Sequence, residues 1–329
     1  MIPVQCAVIG IGMVGGVHAA ILNACAEADL VACCDTDPAR EEATPGGVAF
    51  HTDLDATLAT PGLEAVFVCT PQHLHRPVVE QALARGLAVF CEKPMASTLE
   101  DADAMIRAVE AASGVLAIGH TLRFSPDYAA VHEAVSGGEI GTVVHMAARW
   151  NAPDFEGRII SGRTTVPQEM MIHDIDIMRW LVGDVERVYA EPYKQPVTGP
   201  GPDAMVATLR FRSGTIGVLD HNWVMPAASG LESDHRLAVF GSAGSAFVEN
   251  RDAPAVVFGA GALSLKRTTY HSDPAGIPYG AMPTEDRYFL MSVRDGRTWP
   301  ISLADARAAV ACAVALDESA RTGEPVTLA

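Results

Sequence analysis

Acidic and imidazole side chains interrupt an otherwise apolar stretch between Glu169 and Gly183, which reads EMMIHDIDIMRWLVG. Its aliphatic residues and Trp180 suit the packed face of a helix. His173 nevertheless lies among three carboxylates, and residues three or four apart on a helix share a face. A carboxylate there could orient the imidazole, stabilise its charged form and raise its pKa. The stretch is a candidate for acid–base chemistry, and the alternative is an interior histidine with surface carboxylates.

The three carboxylates differ in their expected positions around His173. Glu169 precedes it by four residues, and Asp176 follows it by three, so both share its face and Asp176 could meet a substrate hydroxyl. Asp174 points elsewhere and is expected to be solvated or at an interface. A metal held by Glu169, His173 and Asp176 would lack a further strong nitrogen or thiolate donor. We therefore predict no metal site.

A glycine-rich turn near the N-terminus indicates a dinucleotide site. It follows a predicted strand, opens a predicted helix and consists of Gly10, Ile11, Gly12, Met13, Val14 and Gly15. Asp35 follows at the end of the second strand, where a carboxylate accepts hydrogen bonds from a ribose diol. A carboxylate there also repels a 2′-phosphate, which favours NAD over NADP, although Arg40 nearby could accommodate NADP.

Two later strands also end in polar residues, at the edge where open α/β sheets bind ligands. The first ends in Thr70 and Pro71, followed by His73 and His75. The second ends in the triplet Glu92-Lys93-Pro94. By default a Lys-Pro after a strand is an exposed turn, but its position at this edge favours a role in the site. We assign Thr70, Pro71, His73, His75, Glu92 and Lys93 to the cofactor-binding region.

The pattern of hydrophobic residues changes near residue 120 and divides the chain into two parts. The first 120 residues alternate short apolar runs with helical patterns at 15–26, 75–85 and 99–112, which predicts a parallel sheet covered on both faces. Alternating strands then dominate, with helices expected around 168–182, 284–294 and 303–321 and loops at 192–202 and 273–283. We predict an α/β protein with a Rossmann domain at 1–121 and an α+β domain at 122–329 that contains a large, mostly antiparallel open sheet. The final helix 303–321 is a candidate to pack back on the first domain.

Composition restricts the class of protein. The chain has 329 residues, 49% of them hydrophobic, and a formal net charge of −17. An acidic chain without basic clusters is unsuited to nucleic acid or anionic membranes. Its seven cysteines form no CxxC pair, and no segment approaches a membrane-spanning length. We expect a cytoplasmic protein with no nucleic-acid or membrane partner.

Taken together and in this order, the motifs resemble one family. GxGxxG, Asp35, CTPQHLH, EKP, GHTLRFSPDY and IHDIDIMRWL run through the first 185 residues as they do in the glucose–fructose oxidoreductase/inositol dehydrogenase/rhizopine catabolism (Gfo/Idh/MocA) family. A weaker resemblance to this family follows in HRLAVFGSAGSAFVE and in the final SLADARAAVACAVALDESARTGEPVTL. The resemblance implies a Rossmann domain followed by an α/β domain with a large open sheet.

The same resemblance implies an activity and its residues. Family members transfer a hydride between nicotinamide and a hydroxyl or carbonyl of a sugar or polyol. Lys93 would reach the reacting hydroxyl and His173 would take its proton, with Glu169 where the family usually has Asp. The expected substrate is a cyclic polyol or sugar, inositol-like or aldose-like. The form IHDID resembles the IHEID form of inositol dehydrogenases and so favours an inositol-like one. The alternatives are a sugar-nucleotide or amino-sugar oxidoreductase and, in another class, a nicotinamide-sensing regulator without catalysis.

Other residues are weaker candidates. Arg123 matches a family position near the substrate but could equally form a hinge salt bridge, and Asn151 is a candidate substrate contact. Plausible cleft residues without a decisive argument are His120, His221, Trp223 and Tyr279. Arg158 and Arg163 could meet an anionic substrate or a neighbouring subunit. Because a broad apolar sheet face is costly to leave wet, we expect a homodimer or homotetramer through the C-terminal sheet.

Overall fold

The chain divides into two compact units, each described here by itself. The computed structural model describes residues 2–193, 195, 197–229, 233–249, 255–258, 263–266 and 278–328. The first unit combines Met1–Phe124 with Thr269–Arg307, and the second combines Ser125–Thr268 with Ala308–Ala329.

The first unit is built on a six-stranded parallel sheet. Its strands are β1 (Val4–Ile9), β2 (Ala28–Cys34), β3 (Ala49–His51), β4 (Ala65–Val68), β5 (Ala88–Glu92) and β6 (Leu116–Gly119). They lie in the order β3-β2-β1-β4-β5-β6, with every neighbouring pair parallel. The direction of strand addition reverses between β1 and β4, the switch point where ligands bind in such sheets. The predicted Rossmann domain is confirmed.

Helices connect the strands of this unit. They are α1 (Met13–Ala24), α2 (Leu54–Leu58), α3 (His75–Ala84), α4 (Leu99–Ala112) and, from the later part of the chain, α8 (Ala281–Asp295). An aromatic contact holds α8 on the sheet, because the ring centroid of Phe289 lies 5.2 Å from that of Phe67 and 5.7 Å from that of Phe90. The sequence analysis placed this helix in the second domain, whereas it belongs to the first unit.

The second unit contains a mixed, mostly antiparallel sheet of seven strands. These are β7 (Val143–Pro153), β8 (Val185–Pro192), β9 (Ala204–Phe211), β10 (Ile216–Met225), β11 (Asp234–Gly241), β12 (Ser245–Glu249) and β15 (Val326–Thr327). Their order is β12-β11-β7-β10-β9-β8-β15, and only the β7–β10 pair of this described sheet is parallel. A separate hairpin pairs β13 (Ala255–Phe258) with β14 (Leu263–Lys266). The predicted sheet is confirmed.

One face of the seven-stranded sheet is buried and the other is exposed. Along β9, buried Met205, Ala207 and Leu209 alternate with exposed Val206 and Thr208. This period of two is what a strand requires when only one of its faces is covered. Apolar side chains remain on the uncovered face, where Phe247 of β12 is 57% exposed.

The helices of the second unit depart from the sequence analysis in several places. They are α5 (Pro126–Ser136), α6 (Asp154–Ile160), α7 (Ile172–Val182) and the last part of α9 (Leu303–Thr322). Neither α5 nor α6 was predicted. The expected helix at 168–182 is instead a π-helical turn over Pro167–Met171 that leads into α7. The expected loop at 273–283 lies partly outside the described residues, and its last residues open α8.

Helix α9 contains residues of both units. Its residues up to Arg307 group with the first unit and the remainder with the second. Arg307 forms an ion pair with Asp103 of α4, within the first unit. The domain boundary drawn from the sequence at 121/122 stays a prediction. Among the described helices, none is long and apolar enough to cross a membrane.

Candidate active site

The glycine-rich loop between β1 and α1 is packed against the end of β4. Gly10 has a φ of +91°, and a Cβ on it would lie 2.7 Å from the carbonyl oxygen of Cys69. A Cβ on Gly15 would lie only 1.8 Å from the carbonyl oxygen of Gly10. By contrast, a Cβ on Gly12 would meet no atom within 4 Å. Side chains at Gly10 or Gly15 would therefore clash with the protein, whereas there is space beside Gly12, where α1 begins.

Asp35 lies directly beside this loop. Its Oδ2 accepts the backbone N–H of Ile11 at 2.8 Å, and its Oδ1 accepts that of Asp37 at 3.0 Å. The carboxylate is thus fixed by two backbone donors, with further lone pairs left for a diol. Arg40 lies on the exposed turn 38–43 and pairs with Asp37 at 3.7 Å rather than with Asp35.

The residues around the loop fit a dinucleotide. Thr70, at the end of β4, has a buried Oγ1 with no hydrogen-bond partner among the described residues. Its backbone nitrogen lies 2.8 Å from where a Cβ of Gly10 would be, so this hydroxyl is next to the loop. Met13 and Val14 leave their side chains exposed at the start of α1. An open helix N-terminus, a fixed carboxylate and an unsatisfied hydroxyl are together suited to a nucleotide cofactor.

The two histidines that follow Thr70 have different surroundings. His73 is exposed on the turn 72–74, next to exposed Pro71. His75 is buried, with Nε2 2.9 Å from the carbonyl oxygen of Thr70 and Nδ1 3.0 Å from that of Pro94. Burial lowers the pKa of this histidine. Its ring therefore ties the loop after β4 to the loop after β5.

The Glu-Lys-Pro triplet ends β5 with a buried carboxylate and a half-buried lysine. Glu92 Oε2 accepts the backbone N–H of Lys93 at 3.0 Å, and its Oε1 lies 3.0 Å from Nε2 of His18 on α1. Both Glu92 oxygens therefore contact protein groups, although the sequence analysis grouped this residue with the cofactor contacts. Thr98 caps the following helix α4 by accepting the N–H of Asp101 at 3.1 Å.

A buried charged cluster surrounds His18. The Nδ1 atom of this ring lies 2.9 Å from Oδ1 of Asp286 on α8. Burial opposes a charge on His18, but the two facing carboxylates outweigh it and hold its pKa well above the usual value. The same imidazole lowers the pKa of Glu92 against the effect of burial. Burial instead raises the pKa of Glu285, which accepts a hydrogen bond from Thr121 Oγ1 at 2.5 Å.

In the second unit, His173 lies on α7 against a tryptophan of the sheet. It is 7% exposed, and its ring centroid lies 4.9 Å from that of Trp150 on β7. The next residue on the strand, Asn151, bonds through Nδ2 to Asp234 Oδ2 at 3.1 Å and accepts from Asn222. Adjacent strand residues point to opposite faces, so Trp150 rather than Asn151 shares the face of His173.

Asp174 forms the centre of a buried cluster behind this ring. It is fully buried, with Oδ1 3.3 Å from Nε2 of His235 and Oδ2 3.1 Å from Nε2 of His221. Burial acts to raise the pKa of Asp174, but the two imidazoles outweigh it and lower it strongly. The expectation of a solvated Asp174 is therefore wrong.

Aromatic rings enclose His235 within the same cluster. Trp150 stacks on it at 4.1 Å between centroids, and the hydroxyl of Tyr128 lies 3.1 Å from its Nε2. Since Trp150 contacts both His235 and His173, one tryptophan connects the buried cluster to the candidate base. His221 and Trp223, considered as cleft residues, are 0% and 1% exposed.

Glu169 occupies the π-helical turn that precedes α7 and is half-buried. The turn is anchored at its start, where Asp317 of α9 accepts from Thr165 Oγ1 at 3.0 Å and from Gln168 Nε2 at 2.9 Å. Burial raises the pKa of Asp317 to about 6. A π-helical turn changes the angle between successive residues, so the geometry expected for Glu169 and His173 from a regular helix does not transfer directly.

The remaining candidates are distributed over both units. Asp176 is buried on α7, and Arg123 is half-buried on the turn 121–124 of the first unit. Arg158 pairs with Asp154 within α6, and Arg163 donates to the carbonyl oxygen of Ile159. The described residues contain no group of three or more His, Cys, Asp or Glu side chains suited to a metal ion.

Sequence reasoning missed the partners that surround the candidate residues. His18 is a polar residue in an apolar helix just after the third glycine, and this contrast could have indicated a buried partner. Its contact with Asp286 joins residues 268 positions apart, which no local pattern indicates. Trp150 and His235 are likewise adjacent only through the pairing of β7 with β11.

Comparison with known proteins assigns the chain to a family. A GFO/IDH/MocA model, described as an oxidoreductase family with an NAD-binding Rossmann fold, matches residues 4–120, and a model of the GFO/IDH/MocA C-terminal domain matches residues 128–247. This chain belongs to the GFO/IDH/MocA family. The resemblance inferred from the motifs is confirmed.

Individual relatives agree with this assignment. Myo-inositol 2-dehydrogenase of Thermotoga maritima is 34% identical over 254 residues, which are 74% of this chain and 74% of that protein. A solved structure of a putative myo-inositol dehydrogenase from Sinorhizobium meliloti has a TM-score of 0.83 and 28% identity, covering 99% of this chain and 100% of that one. GenD2 from gentamicin A biosynthesis, solved with NAD, has a TM-score of 0.87 and 25% identity, covering 100% and 97%.

The family fixes the reaction class and the cofactor. This chain is an NAD-dependent oxidoreductase, and both predictions, a nicotinamide-dependent dehydrogenase or reductase and NAD as its cofactor, are confirmed. Gly12 at the start of α1, Asp35 and Thr70 are the groups that would hold the cofactor, on the fit described above.

Two glycine substitutions should separate folding from cofactor binding. Gly15→Ala forces a Cβ against the Gly10 carbonyl, so we expect it to lose about 2 kcal/mol of unfolding free energy or more. Gly12→Ala has room in the protein, so its stability should change by less than about 0.5 kcal/mol. The added methyl would instead obstruct the pyrophosphate, and NADH affinity should fall about tenfold or more. Urea unfolding and NADH fluorescence titration measure the two quantities, and a Gly12→Ala protein with normal NADH affinity would contradict the assignment.

The buried anion of the second unit should be important for stability. Asp174→Asn leaves His221 and His235 without their carboxylate, so we expect a loss of about 3 kcal/mol in urea unfolding at neutral pH. Asp220→Asn is the matched control, because Asp220 is exposed on β10 next to His221 and its loss should cost less than about 0.5 kcal/mol. Equal stability of the two variants would show that the Asp174 contacts are not stabilising.

Proposed function

We propose that this chain oxidises a hydroxyl of a cyclic polyol or sugar with NAD⁺, or catalyses the reverse reduction, with Lys93 and His173 as its acid–base residues. An inositol-like substrate is the first candidate. The similarity to myo-inositol 2-dehydrogenase of Thermotoga maritima, with the IHDID form of the motif on α7, supports this choice.

The observation that carries the proposal is the fixed backbone of Lys93 at the end of β5. Its N–H is held by the buried carboxylate of Glu92, and β5 is a neighbour of β4, which ends beside the glycine-rich loop. A lysine whose backbone is held next to a dinucleotide loop supports a role in the reaction. A surface lysine would need no such buried support.

Each proposed residue performs one step on the substrate hydroxyl. Nζ of Lys93 donates a hydrogen bond to the reacting oxygen and stabilises the negative charge that develops there. The imidazole of His173 accepts the proton of that hydroxyl, and Glu169 stabilises the resulting imidazolium. Bound NAD⁺ supplies the hydride acceptor. Asp176 and Arg123 are proposed to contact other hydroxyls of the substrate, and Asn151 is retained as a weaker candidate.

A second candidate function is oxidation of an amino sugar or a sugar nucleotide. The match to GenD2, described as belonging to gentamicin A biosynthesis, favours it, since gentamicin A is an aminoglycoside. An amino-sugar substrate would carry positive charge and suit an acidic protein of net charge −17. A sugar nucleotide would instead require cations for its diphosphate, and the candidates are Arg123, Arg158 and Arg163.

A nicotinamide sensor would need only the cofactor half of these features. Such a protein requires the glycine-rich loop and Asp35 but gains nothing from keeping Lys93 and His173 together. Tight NADH binding without turnover on any polyol, aldose or amino sugar would favour this reading.

Removing either acid–base residue should lower turnover strongly while cofactor binding persists. We expect Lys93→Ala and His173→Ala to lower kcat between about 10²- and 10⁴-fold, because each removes a group that acts in the transition state. NADH affinity should stay within about threefold of the wild type. The assay follows NADH absorbance with NAD⁺, and separately with NADP⁺, across inositols, aldoses and amino sugars.

His132→Ala is the control for this series. His132 lies on α5 and stacks on Trp180 of α7 at 3.8 Å between ring centroids, so its loss perturbs the same helix away from the base. Its kcat should remain near that of the wild type. Normal turnover of both Lys93→Ala and His173→Ala on the true substrate would refute the mechanism.

We also propose a homodimer or homotetramer formed through the exposed face of the seven-stranded sheet. Val206, Ile216, Phe240 and Phe247 are 40–57% exposed on this face, and contiguous apolar surface is costly to leave in water. Light scattering at micromolar concentration should give a multiple of the 34.7 kDa chain mass.

One charged substitution tests that interface. Val206→Asp should shift the mass toward the monomer, because the residues opposite Val206 are Asp220 and Glu191, and an interfacial carboxylate without a partner is costly to bury. Val115→Asp introduces the same charge at a 41% exposed position of the first unit and should leave the mass unchanged. A monomeric wild type would contradict the proposed assembly.

A further inference from the structure

A histidine is completely buried on the helix that begins at the glycine-rich loop. His18 of α1 is 0% exposed. Its ring centroid lies 5.8 Å from that of Phe67 and 5.4 Å from that of Phe90. These aromatic walls leave the imidazole no route to water, so both ring nitrogens need partners within the protein.

Both partners are carboxylates, and they come from different elements. Nδ1 faces both oxygens of Asp286 on α8, at 2.9 and 3.0 Å, and Nε2 faces Oε1 of Glu92 on β5 at 3.0 Å. An imidazolium carries two N–H donors and can satisfy both carboxylates at once. The ring therefore joins α1, α8 and β5 through two charge-assisted contacts.

The second oxygen of Glu92 extends this connection to the proposed catalytic lysine. Oε2 accepts the backbone N–H of Lys93 at 3.0 Å while Oε1 is held by His18. A carboxylate is planar, so fixing one oxygen fixes the direction of the other. On the neighbouring strand β6, a Cβ on Gly119 would lie 2.7 Å from the Phe90 ring and 3.3 Å from Oε1, so the glycine leaves room for both side chains.

We propose that His18 is a positioning residue for Lys93, because it holds Glu92 in the orientation that fixes the Lys93 backbone. This inference rests on the proposed function, in which Lys93 contacts the reacting hydroxyl. His18 itself touches neither substrate nor the reacting atoms. The proposal predicts that loss of the contact to Glu92 displaces Lys93, whereas loss of the contact to Asp286 lowers only the stability of the protein.

Two amide substitutions separate these contacts. In His18→Gln the amide nitrogen lies about where Nε2 was and keeps a donor toward Glu92, whereas in His18→Asn it lies about where Nδ1 was and keeps a donor toward Asp286. Each variant loses the imidazolium charge and one contact, so both should melt at lower temperature. A residue with only a structural role would affect Lys93 equally in the two variants.

The first readout requires no substrate. The chain contains three lysines, Lys93, Lys194 and Lys266, so reductive methylation with ¹³C-formaldehyde gives three side-chain resonances in addition to the N-terminus. The Lys93→Ala protein assigns the signal of Lys93. We expect this resonance to move in His18→Asn and to stay in place in His18→Gln, with the other two lysines as internal controls. Equal shifts in both variants, or none, would overturn the proposal.

The second readout is turnover on the polyol identified in the substrate panel. Misplacing a catalytic group by about 1 Å can cost a hundredfold in rate, so His18→Asn should lose between about ten- and a hundredfold in kcat while His18→Gln keeps most of it. NADH affinity should be similar in both. If both variants instead lose NADH affinity with normal kcat at saturation, His18 acts on the cofactor helix and the proposal is wrong.

Parallel assay of Lys93→Ala separates this inference from the proposed function. If Lys93→Ala retains normal turnover, the proposed mechanism fails while the lysine resonances still report whether His18 positions Lys93. If Lys93→Ala is inactive but the two His18 variants have equal kcat, the positioning role alone fails. Phe289→Leu is the stability control, because it weakens the packing of α8 one turn from Asp286 without removing a charge.

Melting temperatures across pH test the charged contact directly. The pKa of His18 is raised in the folded protein, so its stabilisation is fully present below the unfolded pKa of about 6.5 and is lost as the pH rises through the folded pKa. The difference in melting temperature between wild type and His18→Gln should therefore be largest below about pH 6.5 and become smaller as the pH rises through the folded pKa. A constant difference would overturn the charge-assisted contact.

Other groups around His18 are shared by wild type and variant. The carboxyls that face it are those of Asp286 and Glu92, and the neighbouring charged or titratable residues are Glu285, Lys93 and Arg287. His18 lowers the pKa of Glu92 and opposes the effect of burial on the pKa of Asp286, so the difference between wild type and variant contains the coupled titration of these three groups.

Discussion

The first unit depends on one geometric constraint, the convergence of the carboxyl ends of β1, β4 and β5 at the edge where the sheet reverses its order. Gly10, Thr70 and Glu92 end or follow these three strands, and parallel pairing brings them side by side. The glycine-rich loop can lie against Cys69 only because Gly10 and Gly15 lack side chains. The positions of the candidate cofactor residues and of the proposed catalytic lysine therefore follow from strand order, which brings residues from distant positions to one edge.

Much of this arrangement could be predicted because it depends on the local spacing of apolar residues and glycines. Apolar runs separated by amphipathic helices predicted the parallel sheet, and the glycines with Asp35 predicted the dinucleotide site. The prediction was weaker where local rules change. Glu169 was placed on a regular helix, whereas a π-helical turn precedes α7, and the short helix α6 directly follows the strand that ends at Pro153. A period of 3.6 residues does not anticipate an inserted residue, and short helices owe their stability to packing rather than to pattern.

The sequence could not indicate how the candidate residues are supported. His75 was assigned to the cofactor because it follows Thr70 at a strand end, yet both its ring nitrogens face backbone carbonyls of two loops. Asp174 was expected in solvent because an aspartate on a helix usually is, yet it lies between two histidines of the sheet. In each case a partner far away in sequence decides the role. Residue type and spacing identify candidates, and only tertiary contacts decide which of them face the ligand.

Each of the two units buries a charged cluster, and the two clusters have opposite arrangements. In the first, a single imidazole lies between two carboxylates, those of Glu92 and Asp286. In the second, the single carboxylate of Asp174 lies between two imidazoles. An isolated buried charge costs several kcal/mol, so each central group needs polar partners within the protein. Such a cluster tolerates little rearrangement, since moving any member leaves another uncompensated. Each adjoins a proposed acid–base residue, Lys93 through Glu92 and His173 through Trp150, so a buried charged cluster can also hold reactive side chains in place.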